Sequence, residues 1–461
     1  MGKSRMEFLD RIEERQRLRR LLDASNGALA CLYGRRRCGK TRLLRECVKN
    51  RRSVFYHLAD KSERTAQMSR FIQEVSVQIP AFRAATPGDW GVILDLWVQL
   101  APRGSILVLD EFPYLVQRDE ALPSILQRIC DVLPETGHKV VICGSSQRMM
   151  QGFVLKQSEP LYGRAKEIMP ITPLPFNWMK AAFPSWRRID RLKAWGVWGG
   201  IPRYWELQSE EQDLWGCVHR NACSPLGILR HEPQFLLLDD LGDTAQASAV
   251  LSFVGNGANR MSEIAARMGR PATDLSRPLQ RLDELGLVAR ETPFGADSHG
   301  KKSLYRIADH FLNFWYTFVQ PNLSRDDFLE SANERKIFES QYEVYLGGVW
   351  ERLVRETLRM KPLPGTDMRW QNMARWWGAG LDHHPMELDI VAESPDGDTL
   401  LVGEAKLSVR EDEAPHLLSL LESRAGNLPF SAKYKRIVTR LFVADNPPPD
   451  AVSLAWCEES P

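Results

Sequence analysis

Four short apolar runs stand at intervals in the first third of the chain: Ala28–Tyr33, Val54–Leu58, Ile106–Leu109 and Val140–Cys143. Unbroken runs of that length suit strands covered on both faces of a parallel sheet. Helix-like stretches separate them, at Arg42–Val48, Arg64–Gln78 and Leu122–Leu133. The alternation predicts right-handed crossovers and a doubly wound α/β sheet. Pro170, Pro173 and Pro175 break the pattern, so a first domain is expected over residues 1–175.

The pattern then changes. From Trp178 to about Leu241 it is helical and rich in tryptophan, with breaks at Gly199, Gly200 and Pro202, which predicts a helical unit over 176–242. A third unit, 243–325, opens on a helix at Met261–Gly269 with Ile264, Ala265 and Met268 inward. After a turn, Leu275, Leu279, Leu282 and Leu285 share one face of a second helix. Thr273, Ser276, Arg277, Gln280 and Arg281 then face outward, and Pro278 requires that helix to begin just before it. Leu287–Glu291 and Lys301–Ile307 read as a β-wing with Lys301 and Lys302 near its tip. A winged helix is expected.

The last unit, 333–461, reads as helix, three strands, helix, strand. Its elements are expected at Tyr342–Met360, Met368–Trp377, Glu387–Ala392, Thr399–Lys406, Ala414–Arg424 and Lys435–Val443.

Composition narrows the class without deciding it. A chain of 461 residues exceeds what one core organises, in line with several domains. With 43% hydrophobic and 26% charged residues it has ordinary globular make-up, and a formal charge of +2 argues neither for nor against nucleic acid. Eight cysteines are scattered with no C-x-x-C pair, which fits reduced thiols in a cytoplasmic protein better than zinc or disulfides. The charged N-terminus lacks the apolar stretch of a signal peptide, and no run is long enough for a membrane helix.

Gly34-Arg35-Arg36-Arg37-Cys38-Gly39-Lys40-Thr41 satisfies G-x-x-x-x-G-K-[ST], after an apolar strand and before a helix. Such a turn aims backbone N–H groups at phosphate oxygens. Lys40 is expected on the β- and γ-phosphates of ATP, the Thr41 hydroxyl on Mg²⁺, and Arg42 beside the loop. A second strand ends in Asp110-Glu111, which predicts Asp110 at the metal and Glu111 as the base for an attacking water. A third ends in Gly144-Ser145-Ser146, where Ser145 is placed to sense the γ-phosphate or the water.

Six motifs in order carry a family resemblance: Phe8-Leu-Asp-Arg11-Ile-Glu13-Glu14, GRRRCGKT, LDEFPYL (109–115), CGSS (143–146), LYGR (161–164) and GGIPRY (199–204). Together they resemble the archaeal-type ATPase family, in the AAA-like, signal-transduction branch of P-loop proteins. The resemblance spans essentially the whole chain. It implies a five-stranded sheet with the strand of Asp110 beside the strand of the phosphate loop, then a helical lid and a winged helix. It also implies that the Phe8–Glu14 segment, with Arg11, and Pro202 lie near the adenine. Arg164 matches the family's "GR" arginine, with three readings open: a γ-phosphate sensor, an arginine acting across a homo-oligomer, or a structural ion pair. Winged helices in this branch also pack on the nucleotide domain, so DNA contact and an internal role both stand.

Asp389 and Glu404 are fifteen residues apart, a spacing that lets a hairpin set them side by side, and Glu404 and Lys406 share one strand face. With Glu351 on the preceding helix, this resembles the PD-(D/E)XK nuclease core. That implies Mg²⁺ on Asp389 and Glu404, Lys406 orienting or activating water, and DNA as substrate. Leu388 stands where that motif carries proline. The sequence thus predicts an ATP-regulated DNA-processing enzyme; the alternative is an ATP-driven switch or adaptor whose C-terminal fold only binds DNA or protein.

Overall fold

Every residue of strand β1 (Ala28–Tyr33) is buried, and its side chains alternate between two cores. Ala28, Ala30 and Leu32 join one core while Leu29, Cys31 and Tyr33 join the other, as the two-residue period of a strand requires. The computed structural model describes residues 8–209, 213–241, 244–296, 302–325 and 328–459. Around β1 are α1 (Ile12–Asp23), α2 (Lys40–Val48), β2 (Val54–Leu58), α3 (Arg64–Ser76), α4 (Trp90–Leu100), β3 (Ile106–Asp110), α5 (Phe112–Arg118), α6 (Leu122–Thr136), β4 (Lys139–Gly144), α7 (Gln147–Leu155) and β5 (Ala165–Pro170).

The five strands run parallel in the order β2-β3-β4-β1-β5. This corrects one expectation: β3, which ends in Asp110, is not beside β1, because β4 lies between them. The intervening strand opens a gap between the phosphate loop and Glu111, and the end of β4 fills it with Ser145.

Beyond β5 the chain forms α8 (Met179–Ala182), α9 (Arg188–Trp198), α10 (Pro202–Ser209), α11 (Leu214–Val218) and α12 (Glu232–Asp240). Leu174 N donates to Gly200 O at 2.7 Å, which pins the start of α10 to the segment after β5. Then follow α13 (Thr244–Gly255), α14 (Met261–Met268), α15 (Ser276–Glu284) and an antiparallel hairpin of β6 (Val288–Glu291) and β7 (Leu304–Ile307). Pro278 falls in the first turn of α15, where its missing N–H costs no helical bond. Leu275, Leu279 and Leu282 are buried beneath it.

Helices α16 (His310–Phe314) and α17 (Ala332–Met360) lead to a second sheet: β8 (Gln371–Ala379), β9 (Pro385–Glu393), β10 (Thr399–Ser408), α18 (Ala414–Gly426), β11 (Arg436–Asp445), β12 (Val452–Ser453) and α19 (Leu454–Glu458). Its order is β12-β11-β10-β9-β8, antiparallel through β8, β9 and β10 and parallel from β10 to β11. The parts are tied together. Tyr342 of α17 donates to Lys193 O at 2.6 Å, and Arg191 of α9 pairs with Glu458 of α19 at 2.6 Å. The first half of α17 therefore belongs as much to the α8–α12 helices as to the C-terminal unit. Among the described residues no helix is long and apolar enough to cross a membrane.

Candidate functional site

The phosphate loop leaves β1 through Gly34, whose φ is 154°, and a Cβ there would lie 2.2 Å from Ile171 O. Gly39 sits at φ 90° and caps α2, so the loop closes only with glycine at that position. Lys40 is 5% exposed, and its ammonium donates to Gly34 O at 2.7 Å, Arg35 O at 3.0 Å and Ser145 Oγ at 3.1 Å. It is held at the loop mouth by groups that give it up readily to a stronger acceptor.

Asp110 ends β3 fully buried and accepts from the Thr41 hydroxyl at 2.8 Å and from the Tyr56 hydroxyl. Burial and the Asp110 charge both push the Tyr56 phenol up, so it stays a donor. Glu111 follows at φ 54°, a conformation costly for a residue with a Cβ. Its carboxylate accepts from Ser145 Oγ at 2.8 Å and from Ser145 N at 3.3 Å. One serine therefore bridges Lys40 and Glu111.

These residues fit Mg-ATP. A free-facing helix N-terminus, an ammonium with only neutral partners, and a hydroxyl beside a buried carboxylate form the donor set a metal-chelated triphosphate needs.

Three loop arginines reach three different parts of the chain. Arg35 pairs with Asp309 and donates to Tyr204 OH at 3.3 Å; Arg36 donates to Tyr114 OH at 2.7 Å; Arg37 pairs with Glu232 of α12 at 2.8 Å. Tyr204 in turn donates to Glu232 at 2.9 Å. Cys38 is buried, and burial pushes its thiol up. Arg42 pairs with Glu206 of α10 at 3.1 Å and lies over the Phe8 ring.

At the C-terminal sheet, the β9–β10 register continued one pair past Ile390/Gly403 sets Asp389 opposite Glu404. Asp389 accepts from Ala405 N at 2.9 Å, and Lys406 donates to Glu404 at 2.6 Å. Burial, and then the Glu404 charge, push the Asp389 carboxyl up. Glu351 reaches the cluster from α17; burial and then Asp389 push it to about 7. Arg355 donates to Asp389 O at 2.6 Å, and Arg424 of α18 lies 4.0 Å from Glu404. Trp376 is a core residue of this unit. Among the described residues no group of three or more His, Cys, Asp or Glu is gathered to hold a metal.

Residues 8–207 match a family model described as an ATPase domain predominantly from Archaea, and residues 315–417 match one described as archaeal and bacterial proteins of unknown function. An uncharacterized protein of Methanocaldococcus jannaschii is 30% identical over 404 residues, covering 87% of each chain. The chain belongs to the archaeal-type ATPase family. A Walker-type ATPase of Pyrococcus abyssi superposes with a TM-score of 0.53 at 20% identity, over 68% of this chain and 98% of that one. The ORC2 protein of Aeropyrum pernix covers 70% of this chain and 96% of its own at 17% identity, with a TM-score of 0.43. By the family match over residues 8–207 and the fold shared with the Pyrococcus abyssi protein, the N-terminal part of this archaeal-type ATPase is an ATPase domain of P-loop fold.

Two expected nucleotide contacts sit close to the loop in this ATPase. Pro202 lies 4.0 Å from where a Gly39 Cβ would stand. Arg11 is buried at φ 64° and donates to Cys38 O at 3.1 Å and to Thr172 O, so in this structure it braces the loop from behind. Arg164 is elsewhere. The parallel register sets the start of β5 beside Leu29, at the end of the sheet away from the loop, about 16 Å off for five residues of strand rise. Arg164 pairs there with Asp131, the structural ion pair among its three expected readings.

Of the outward positions on α15, Arg277 and Gln280 are exposed, whereas Arg281 is half-buried and donates to Asp240 O at 3.1 Å. That bond makes Arg281 in part a tether to α12, and not the free contact expected. Lys302 is exposed near the hairpin; Lys301 lies outside the described residues. Sequence reasoning missed Tyr56, Tyr114, Tyr204, Glu232 and Asp309. Tyr56 was legible as a polar-tipped residue on an apolar strand; the others are joined to the loop only by the fold.

Proposed function

We propose that this chain is a nucleotide-gated DNA-processing enzyme. Its P-loop ATPase controls DNA contact by a winged-helix unit (α14, α15 and the β6–β7 hairpin) and phosphodiester cleavage by the C-terminal unit. The observation that carries the reading is Asp389 held at 2.9 Å by Ala405 N, next to Glu404 on the neighbouring strand, with Lys406 at 2.6 Å from Glu404 and Glu351 of α17 near enough for the Asp389 charge to raise it.

In the N-terminal site, Lys40 turns from Gly34 O and Ser145 toward phosphate, and Thr41 and Asp110 would hold Mg²⁺. Glu111, oriented by Ser145, takes the proton of the attacking water. At the second site, Asp389 and Glu404 would hold Mg²⁺ and Lys406 steers the water. When bound, the ion supplies positive charge at the phosphate under attack. The carboxyls pushed up at Glu351 and Asp389 are what a cation would relieve. Phosphate competes for Arg35 and Arg37, which otherwise grip Asp309 and Glu232, and so bears on the lid. All eight cysteines are free and seven are buried, which suits a reducing, cytoplasmic setting. Arg164 is left to its ion pair or to a neighbouring copy in a homo-oligomer.

The second reading is a switch or adaptor with an inactive C-terminal fold, favoured by Lys406 and Arg424 already lying against Glu404. A plasmid-nicking assay with Mg²⁺ or Mn²⁺, without nucleotide and with ADP or ATP, separates the two. The enzyme reading expects nicking by wild type in at least one state and none by Asp389→Ala or Lys406→Ala. Equal cleavage by all three, or none in any state, favours the switch.

A further inference from the structure

Helices α7 and α15 face one another across a cleft of about 540 Å³. Its walls carry Arg148, Gln151 and Lys156 from the ATPase domain, and Arg277, Gln280 and Arg281 from the helix-turn-helix. Four of these six are cations. The one carboxylate in the lining, Glu284, is already engaged by Gln280 at 2.9 Å. Arg148, Lys156 and Arg277 are exposed, and among the described residues their side-chain charges make no ion pair with a carboxylate. A second hollow of about 440 Å³ shares Arg148, Gly152 and Lys156 but also carries Glu159 and Asp240, the latter accepting from Ser146 Oγ at 2.8 Å and from Arg148 N at 3.3 Å, so the positive stretch is the α7–α15 cleft itself.

Cations facing one another repel, and each stays fully hydrated unless an anion enters. The two walls are nonetheless fixed in place: Gln147 donates to Leu285 O at 3.4 Å and Arg281 to Asp240 O at 3.1 Å. The fold therefore maintains a cleft in which four cations outnumber the one carboxylate of its lining. Helix α7 is about 13 Å long, the axial span of roughly four nucleotides of one strand. A volume of about 540 Å³ suits a few nucleotides of one strand. The two glutamines add neutral donors suited to phosphate oxygens.

We propose that the α7–α15 cleft binds the phosphodiester backbone of one nucleic-acid strand, with Arg148 and Lys156 of the ATPase domain as phosphate contacts alongside Arg277. This rests on the DNA-binding part of the reading above and assigns that contact to a surface shared by two units. It also puts the bound strand on a helix that begins two residues after Ser145, the group bridging Lys40 and Glu111.

The test is fluorescence anisotropy on the full chain with a labelled single strand and the matching duplex, at several salt concentrations. The double variant Arg148→Glu with Lys156→Glu is expected to weaken binding at least tenfold and to lower the salt slope by about two. Arg148→Lys with Lys156→Arg keeps both charges and is expected to bind like wild type, which separates lost contact from misfolding. If wild type binds DNA and the charge-reversed variant binds equally with the same slope, the cleft assignment falls and the DNA reading survives. If wild type binds neither DNA, both fall. Tighter binding of a polyglutamate peptide than of DNA at equal salt would also overturn the proposal.

Discussion

Arg37 of the phosphate loop is paired at 2.8 Å with Glu232 of α12, and Glu232 is 2% exposed. Separated by almost two hundred residues, the two join the nucleotide loop to the lid in an environment where a lone carboxylate is costly.

Glu232→Gln keeps the shape and leaves Tyr204 an acceptor, but removes the charge that holds Arg37. We expect the unfolding free energy of the nucleotide-free protein to drop by about 1–3 kcal/mol, seen as a lower denaturant midpoint, with faster proteolysis within the α8–α12 helices. An unchanged midpoint would mean that the pair contributes nothing to closure.

Ser145 accepts from Lys40 and donates to Glu111, so binding and turnover are expected to separate by residue. Glu111→Gln should retain ATP affinity and lose turnover by about 10²–10⁴-fold. Ser145→Ala should fall between it and wild type. A steady-state ATPase assay with parallel binding measurements decides this, and an unaltered rate in Glu111→Gln would remove that residue from catalysis.

The crowded acids of the C-terminal unit give a pH and metal signature independent of any nuclease assay. Glu351 is raised from 4.5 to about 7, so the folded state holds its proton where the unfolded chain has lost it. The stability this brings is complete below about pH 4.5 and is lost as pH rises through about 7. At pH 8 without metal, Asp389→Asn should therefore melt about 2–4 °C higher than wild type. Added Mg²⁺ should stabilise wild type and leave the variant unmoved. A variant that melts lower than wild type would show that the carboxylates do not oppose one another.

His310 behaves in the opposite sense. Its Nε2 faces the Arg352 guanidinium, which can only donate, so the ring is neutral with its hydrogen on Nδ1. Burial, then Arg352 and Arg306, hold its pKa well below 6.5. The unfolded chain takes up a proton first, so stability should decline as pH falls below about 6.5. The melting temperature of wild type minus that of His310→Gln, followed from pH 7.5 to 5, is expected to fall on acidification; a flat difference would contradict it.

Much of the first domain could be read in the chain because strands covered on both faces are unbroken apolar runs. Ala28–Tyr33 is such a run and has the same limits in sequence and structure; Val54–Leu58 also has the same limits, though as an edge strand it buries only Phe55 and His57 fully. Edge strand β5, Ala-Lys-Glu-Ile-Met-Pro, is only partly buried and alternates too weakly to stand out. Helix α4 has so few polar residues that its period was masked. Strand order lies beyond local pattern, which is why β4 between β3 and β1 went unforeseen. The loop residues Gly34 to Thr41 and the Asp389/Glu404 pair were legible because both depend on short spacings. The partners of Arg35 and Arg37, at Asp309 and Glu232, follow from tertiary folding alone.

The account stands on the grip of loop amides and one ammonium group on a metal-chelated triphosphate. Titration calorimetry of the full chain with Mg-ATP and with ADP tests it most directly. Saturable binding by wild type, lost in Lys40→Ala while that variant stays folded, is the predicted result. No heat from either nucleotide at millimolar concentration, or equal affinity in Lys40→Ala, would contradict it.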